Sequence, residues 1–243
     1  MIGFIIGALK IIILLGFLVI IHEGGHFVMA KLCKVQVNEF SIGFGPIIFE
    51  KEKKNTKYQI RLIPLGGFVN MEGEEEPSEK DGSFSKASIG KKIAIVLAGG
   101  LVNILFGILL YFILVLQIVD IQNAIINTVN FIFTIFENLK VMFTGGVKAE
   151  DFMGVVGISE VVVKTTTFQN YVYIMALISL SLGITNLLPF PPLDGGKILL
   201  YIIEAIRKKP LKQNVEVAIQ MTGFYLLIGL SIFVMYNDIM RII

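Results

Sequence analysis

The chain has 243 residues, 55% of them hydrophobic and only 16% charged, where an ordinary soluble domain carries roughly 25% charged residues. With a mean hydropathy of +0.78 and a formal net charge of +2, this composition excludes an ordinary soluble domain and makes no case for nucleic-acid binding. One cysteine, Cys33, excludes an internal disulfide and an all-cysteine metal site, and reads as a small apolar filler.

The expected fold is a membrane all-α, four-span helical bundle forming a single domain over residues 1–243. Apolar runs near or above the roughly 20 residues needed to cross a bilayer place spans at 4–30, 92–118, 171–204 and 217–237. The first is too long for a cleavable signal peptide and no small-residue cleavage site follows it, so it stays in the membrane. Lys10 lies inside this span, where its long stem is expected to carry the ammonium to the nearer interface. Residues 35–71 mix short β-favouring runs with Gly-Pro and Gly-Gly turns, and "EKEKKNTK" sits between two such runs like a hairpin tip. The acidic "EGEEEPSEKDGS" that follows has no apolar residue and is expected to be a flexible loop.

Residues 121–143 are as long as a span but differ in pattern. Asn123, Asn127, Asn130, Thr134 and Glu137 or Asn138 recur at steps of three and four, opposite a broad Ile/Phe face. This predicts an interfacial amphipathic helix, because a spanning helix would have to hide the polar stripe from lipid. Charge placement agrees. Of 21 Lys and Arg, eleven lie between Lys31 and Lys92 and four in "RKKPLK" at 207–212; four spans put both groups on one side. By the positive-inside rule that side is the cytoplasm, with both termini and the 120–170 segment outside. The third span, 171–204, is expected to be broken. Pro189, Pro191 and Pro192 remove backbone donors just ahead of Gly195 and Gly196, and broken helices at membrane depth are tolerated where they line a cavity.

The chemistry sits in "VIIHEGGHFVMA", residues 19–30, inside the first span. His22 and His26, the only histidines, are one helical turn apart, so both imidazoles project from one face and can grip one metal ion. Glu23 is placed to take a proton from an attacking water. Ionisable groups at this depth cost on the order of 2.5–3.5 kcal/mol each, which favours function over two histidines that merely bond between helices. Catalytic zinc usually has three protein ligands, and the candidate for the third is Asp194, in "TNLLPFPPLDGGKILL". The bland alternative for that segment is a structural kink with Asp194 paired to Lys197.

With these motifs the chain resembles the site-2 protease family of intramembrane zinc metalloproteases, and within it the bacterial regulator-of-sigma-E protease branch. The resemblance runs through "HEGGHFVMAKL", "EFSIGFGP", "RLIPLGGFV", "KKIAIVLAGGLVN", "GVVGI", "NLLPFPPLDGG" and "YNDIMR", in the family's order. It implies that His22, His26 and Asp194 hold Zn2+, that Glu23 is the catalytic base, and that Asn186, with Pro189, helps hold the substrate backbone. It also implies that 35–71 is a cytoplasmic, membrane-associated β-hairpin guiding an extended substrate, in a bacterial inner-membrane protein whose active site lies towards the cytoplasm. Two departures stand out. Members of this branch usually carry PDZ domains between the second and third spans, whereas 120–170 is too short for one beside the amphipathic helix, so no PDZ domain is expected. "LAGG" replaces a common Gly-Pro, and Gly100 is expected to loosen the start of the second span.

The expected activity is hydrolysis of peptide bonds within or near the transmembrane segments of single-span proteins, in contact with the lipid bilayer. An anti-sigma factor and a remnant signal peptide are both compatible substrates. A metal-handling transporter would use the broken helix as a transit site, but it has no obvious need of Glu23, and no repeated half is present. A catalytically silent scaffold is opposed by the intact set of His22, Glu23, His26 and Asp194. Nothing in the sequence names the substrate, the oligomeric state or a need for prior cleavage.

Overall fold

The computed structural model describes residues 2–144 and 154–242. In chain order its elements are α1 (Ile2–Leu32), β1 (Val37–Lys53), β2 (Thr56–Met71), α2 (Ile89–Leu116), α3 (Ile121–Phe143), α4 (Val155–Lys164), α5 (Phe168–Asn186), α6 (Asp194–Arg207) and α7 (Gln213–Ile242). Among the described residues, four helices are long and apolar enough to cross a membrane: α1 over Leu9–Leu32, α2, α5, and α7 over Gln213–Met240. The molecule is therefore a four-span membrane helical bundle with a short open sheet. Of the stretch 171–204, α5 alone has spanning length; residues 187–193 are not helical, and α6 begins at Asp194.

Helix α1 explains how a span comes to hold histidines. Leu14, Leu18, His22, His26 and Ala30 follow one another at steps of four and are all buried, while Leu9, Ile13, Phe17, Val28 and Leu32 are exposed. The imidazoles continue a packing stripe and face protein rather than lipid.

The described residues fall into two compact units. One comprises Ile12–Asn103 and Leu182–Gly223. Its core joins Ala30 of α1, Val35, the paired Val37 and Met71 of the strands, Phe84, Ile95 and Val96 of α2, and Tyr201 of α6, with Cys33 packed at its margin. Strands β1 and β2 form an antiparallel hairpin whose turn falls at Lys54–Asn55, both with positive φ (51° and 58°), within the expected tip. The pairing is richer than one hairpin. Residues 39–42 have Cα partners both at 67–70 and at 57–60, because β1 bends at Gly43 and Gly45 (φ 89° and 84°), leaving 39–42 flanked on both sides. Arg61 holds the bend, donating to Ser41 Oγ (2.8 Å), Gly45 O (3.0 Å) and Glu39 Oε1 (2.8 Å).

The segment expected to be a flexible loop is instead tightly bonded. Glu72 accepts from Ser78 (2.7 Å) and Asn38 (3.0 Å) and pairs with Lys80 (3.2 Å), and these three, the Ser78 hydroxyl foremost, hold its carboxyl well below the usual range, at about 2. The Phe84 amide donates to Glu72 O at 2.7 Å, and Phe84 is buried in the core. Composition missed this order because serine side chains and one aromatic anchor supply what apolar residues otherwise would.

The other unit comprises Met1–Ile11, Ile104–Ser181 and Phe224–Ile243. Within it α3 is a helix over the expected 121–143, capped by Asp120, whose carboxylate accepts from the Asn123 amide (2.9 Å). It has three faces rather than two. Ala124, Thr128 and Phe131 are buried, with Phe131 stacked on Tyr111 at 3.9 Å; Asn123, Asn130, Thr134 and Glu137 are exposed; so are Ile125, Val129, Phe133 and Phe136. The rest of the expected outer segment includes 145–153, outside the described residues. The Lys10 ammonium donates to Thr165 O (2.8 Å), the carbonyl of the residue that caps the C-terminus of α4. Asp238 of α7 accepts from the Gly154 and Gly157 amides (3.0 and 2.8 Å) at the start of α4.

Candidate metal centre

Asp194 lies in the first turn of α6, directly after the proline-rich stretch 187–193. Its Oδ2 is 3.1 Å from His22 Nε2 and 3.3 Å from His26 Nε2, and the two Nε2 atoms are 3.1 Å apart. The opposite ring nitrogens are held by α2. His26 Nδ1 donates to Ile95 O at 2.9 Å, and the side-chain amide of the wholly buried Asn103 lies 3.5 Å from His22 Nδ1. Each histidine thus presents Nε2 to the centre and Nδ1 to a polar group behind it, the arrangement that fixes ring orientation at metal sites.

These residues fit a metal ion. Asp194 Oδ2 is buried without a hydrogen bond, although two imidazole nitrogens face it. Ligands placed tetrahedrally at roughly 2.0–2.1 Å from zinc lie about 3.3 Å from one another, close to the three separations seen here. Among the described residues, His22, His26 and Asp194 form the cluster able to coordinate an ion. The competing reading of Asp194 paired to Lys197 is overturned: the Lys197 ammonium donates to Glu74 Oε1 at 2.9 Å.

Glu23 shares with the three a cavity of about 200 Å³, lined also by Phe68, Val69 and Met71 of β2. A Cβ at Gly67 would lie 3.4 Å from Glu23 Cγ, so the strand passes close over this carboxylate. Asn186 is the last residue of α5 and Pro189 is exposed; neither is among the residues lining this cavity. Sequence reasoning did not single out Gly99, Asn103 or Glu74. At Gly99 a Cβ would run into His26 Nε2, so any larger residue would collide with the ring. The paired glycines of "LAGG" were the available signal. Gly100 does not loosen α2, which runs unbroken from Ile89 to Leu116; a Cβ there would meet Leu187 Cγ at 2.7 Å.

The model of peptidase family M50 matches residues 10–230. The chain is 28% identical to a candidate zinc metalloprotease of Clostridium acetobutylicum over 94% of its own length and 96% of that protein's. It is 27% identical to another from Campylobacter jejuni, over 97% and 94% of the two chains. Both alignments, of 324 and 345 positions, are longer than this chain, so those relatives carry inserted residues. Against the regulator of sigma-E protease RseP of Escherichia coli, identity reaches 40% over 116 residues, 46% of this chain and 26% of that protein. A family match over most of the chain, joined to a cluster built to hold a metal, makes this protein a member of peptidase family M50, a membrane-embedded zinc metalloprotease.

Proposed function

We propose that the protein hydrolyses peptide bonds within or near transmembrane segments of single-span membrane proteins. In this reading His22, His26 and Asp194 hold Zn2+, and Glu23 is the catalytic base. The observation that carries it is the meeting of three donor atoms 3.1–3.3 Å apart, one a buried carboxylate oxygen without a hydrogen bond, beside a fourth ionisable group in the same cavity. Zinc, when bound, supplies a Lewis acid that makes water a nucleophile near neutral pH and polarises a carbonyl. Glu23 takes the proton of the attacking water and returns it to the leaving amine nitrogen. Burial of the histidine stripe away from lipid keeps Nε2 aimed at the reaction centre, with Ile95 O and Asn103 fixing the rings from behind.

A helical substrate hides its carbonyls in internal hydrogen bonds and must unwind to be cut. The strand residues 67–71 beside the cavity suit strand addition, in which the unwound segment lies along β2. We place α5, 187–193 and α6 together as one broken third span, α3 in the outer interface with its exposed Ile/Phe face in lipid, and the metal towards the cytoplasm of a bacterial inner membrane. Asn186 and Pro189 then contact substrate at the break, and the chain works without a PDZ domain between its second and third spans.

The test is cleavage of a model single-span substrate by purified protein in detergent, wild type beside Glu23→Gln, with zinc counted in both. Loss of cleavage by about 10²–10⁴-fold with zinc still near one per chain is expected. Zinc-loaded wild type that cuts none of a panel of spans would overturn the proposal.

A further inference from the structure

Asp194 and Lys197 lie three residues apart at the start of α6, on one side of the helix. Asp194 turns to the histidines, and Lys197 turns to Glu74. Glu74 belongs to the turn that closes β2, its amide donating to Met71 O at 3.2 Å. The 2.9 Å ion pair therefore joins the end of the strand to the helix that carries Asp194. Its side chains are only 28% and 18% exposed, so solvent screens it less than a surface pair. Both residues line the 200 Å³ cavity around the metal-binding cluster together with Phe68, Val69 and Met71. Both also line a second cavity of about 430 Å³, which shares Phe68 and Val69 and is bounded by Gln213, Glu216 and Gln220. The pair thus stands where the two cavities share a wall. The same turn is held a second time by Gln213, whose amide donates to Glu75 O at 3.0 Å.

We propose that Lys197 and Glu74 are positioning residues for the substrate. Their ion pair sets the distance between β2 and the Asp194 helix, so that a peptide lying along residues 67–71 brings its scissile carbonyl between the metal-binding cluster and Glu23. Neither residue touches the reacting atoms. The inference rests on the reading above that β2 presents the substrate. Delivery, rather than metal binding, is what the pair controls, because Asp194 meets the histidines without help from Lys197.

The experiment measures KM, kcat and zinc content with a model single-span substrate for wild type, Lys197→Met, Glu74→Gln, Lys197→Arg and the swapped double variant Lys197→Glu/Glu74→Lys. Lys197→Met and Glu74→Gln are each expected to raise KM about tenfold, a fraction of what a 1 Å misplacement can cost, with zinc near one per chain. Lys197→Arg and the swapped pair recover most of the loss. Unchanged KM in both single variants overturns the proposal, as does loss of zinc in step with activity, which would make the pair a support for Asp194. Val69→Pro separates the role of the ion pair from strand presentation. If it raises KM while Lys197→Met does not, the ion-pair proposal fails alone; if neither does, strand presentation fails with it.

Discussion

Helices α1 and α7 both have the length and apolar character of membrane spans, over 24 and 28 residues, yet they use their surfaces in opposite ways. Helix α1 buries a full stripe from Leu14 to Ala30 and places both histidines on it. Helix α7 leaves Phe224, Leu226, Leu230 and Phe233 exposed, and among its described residues only Gly223 and Asp238 are buried. Lipid is as apolar as leucine, so hydropathy does not decide which face meets protein; small residues that admit a neighbouring backbone do. In α1 a Cβ at Gly25 would lie 2.6 Å from Ala98 O; α7 admits a neighbouring backbone at its buried Gly223, where a Cβ would run into Pro191 O, but nothing lies within 4 Å of one at Gly229.

This contrast is easiest to break at the histidines. His26→Ala should take zinc from about one per chain to near zero and abolish cleavage, while Tyr225→Phe, at a residue 64% exposed, should change neither; zinc analysis and a cleavage assay decide. A smaller effect is expected from backbone contact. Gly25→Ala should force α1 from α2 and lower zinc affinity, read by competition with a chelator, whereas Gly229→Ala should stabilise by roughly 0.5–1 kcal/mol. Next, truncating the fully buried Leu18 to Ala should cost about 2–5 kcal/mol in denaturation, against less than about 0.5 kcal/mol for Leu226→Ala. The smallest effect tests α7's own polar anchor. Asp238→Ala should cost about 1 kcal/mol and speed hydrogen exchange at the Gly154 and Gly157 amides while cleavage continues.

Much of this molecule was legible beforehand for local reasons. The i, i+4 spacing of His22 and His26 needs only helical geometry to put both rings on one face, and Lys54–Asn55 falls within the expected hairpin tip. The polar stripe of α3 was equally local, but its third, buried face was not, since Ala124, Thr128 and Phe131 become a packing surface only when Tyr111 is there to meet them. The order of the acidic segment 72–83 escaped notice for a similar reason: Glu72 needs Asn38, 34 residues away, as a partner.

What the sequence determined by itself was the set of groups and their local spacing: spans, a hairpin, two histidines and a glutamate on one turn, a carboxylate after prolines. What only the tertiary structure decided was partnership across the chain: Asp194 with the histidines rather than with Lys197, Lys197 with Glu74, and Gly99 beneath the rings. Spacing along a helix follows from covalent geometry within a few residues, whereas these partners are separated by between 73 and 172 residues and meet only when the packing of the unit that holds them all has chosen their distances.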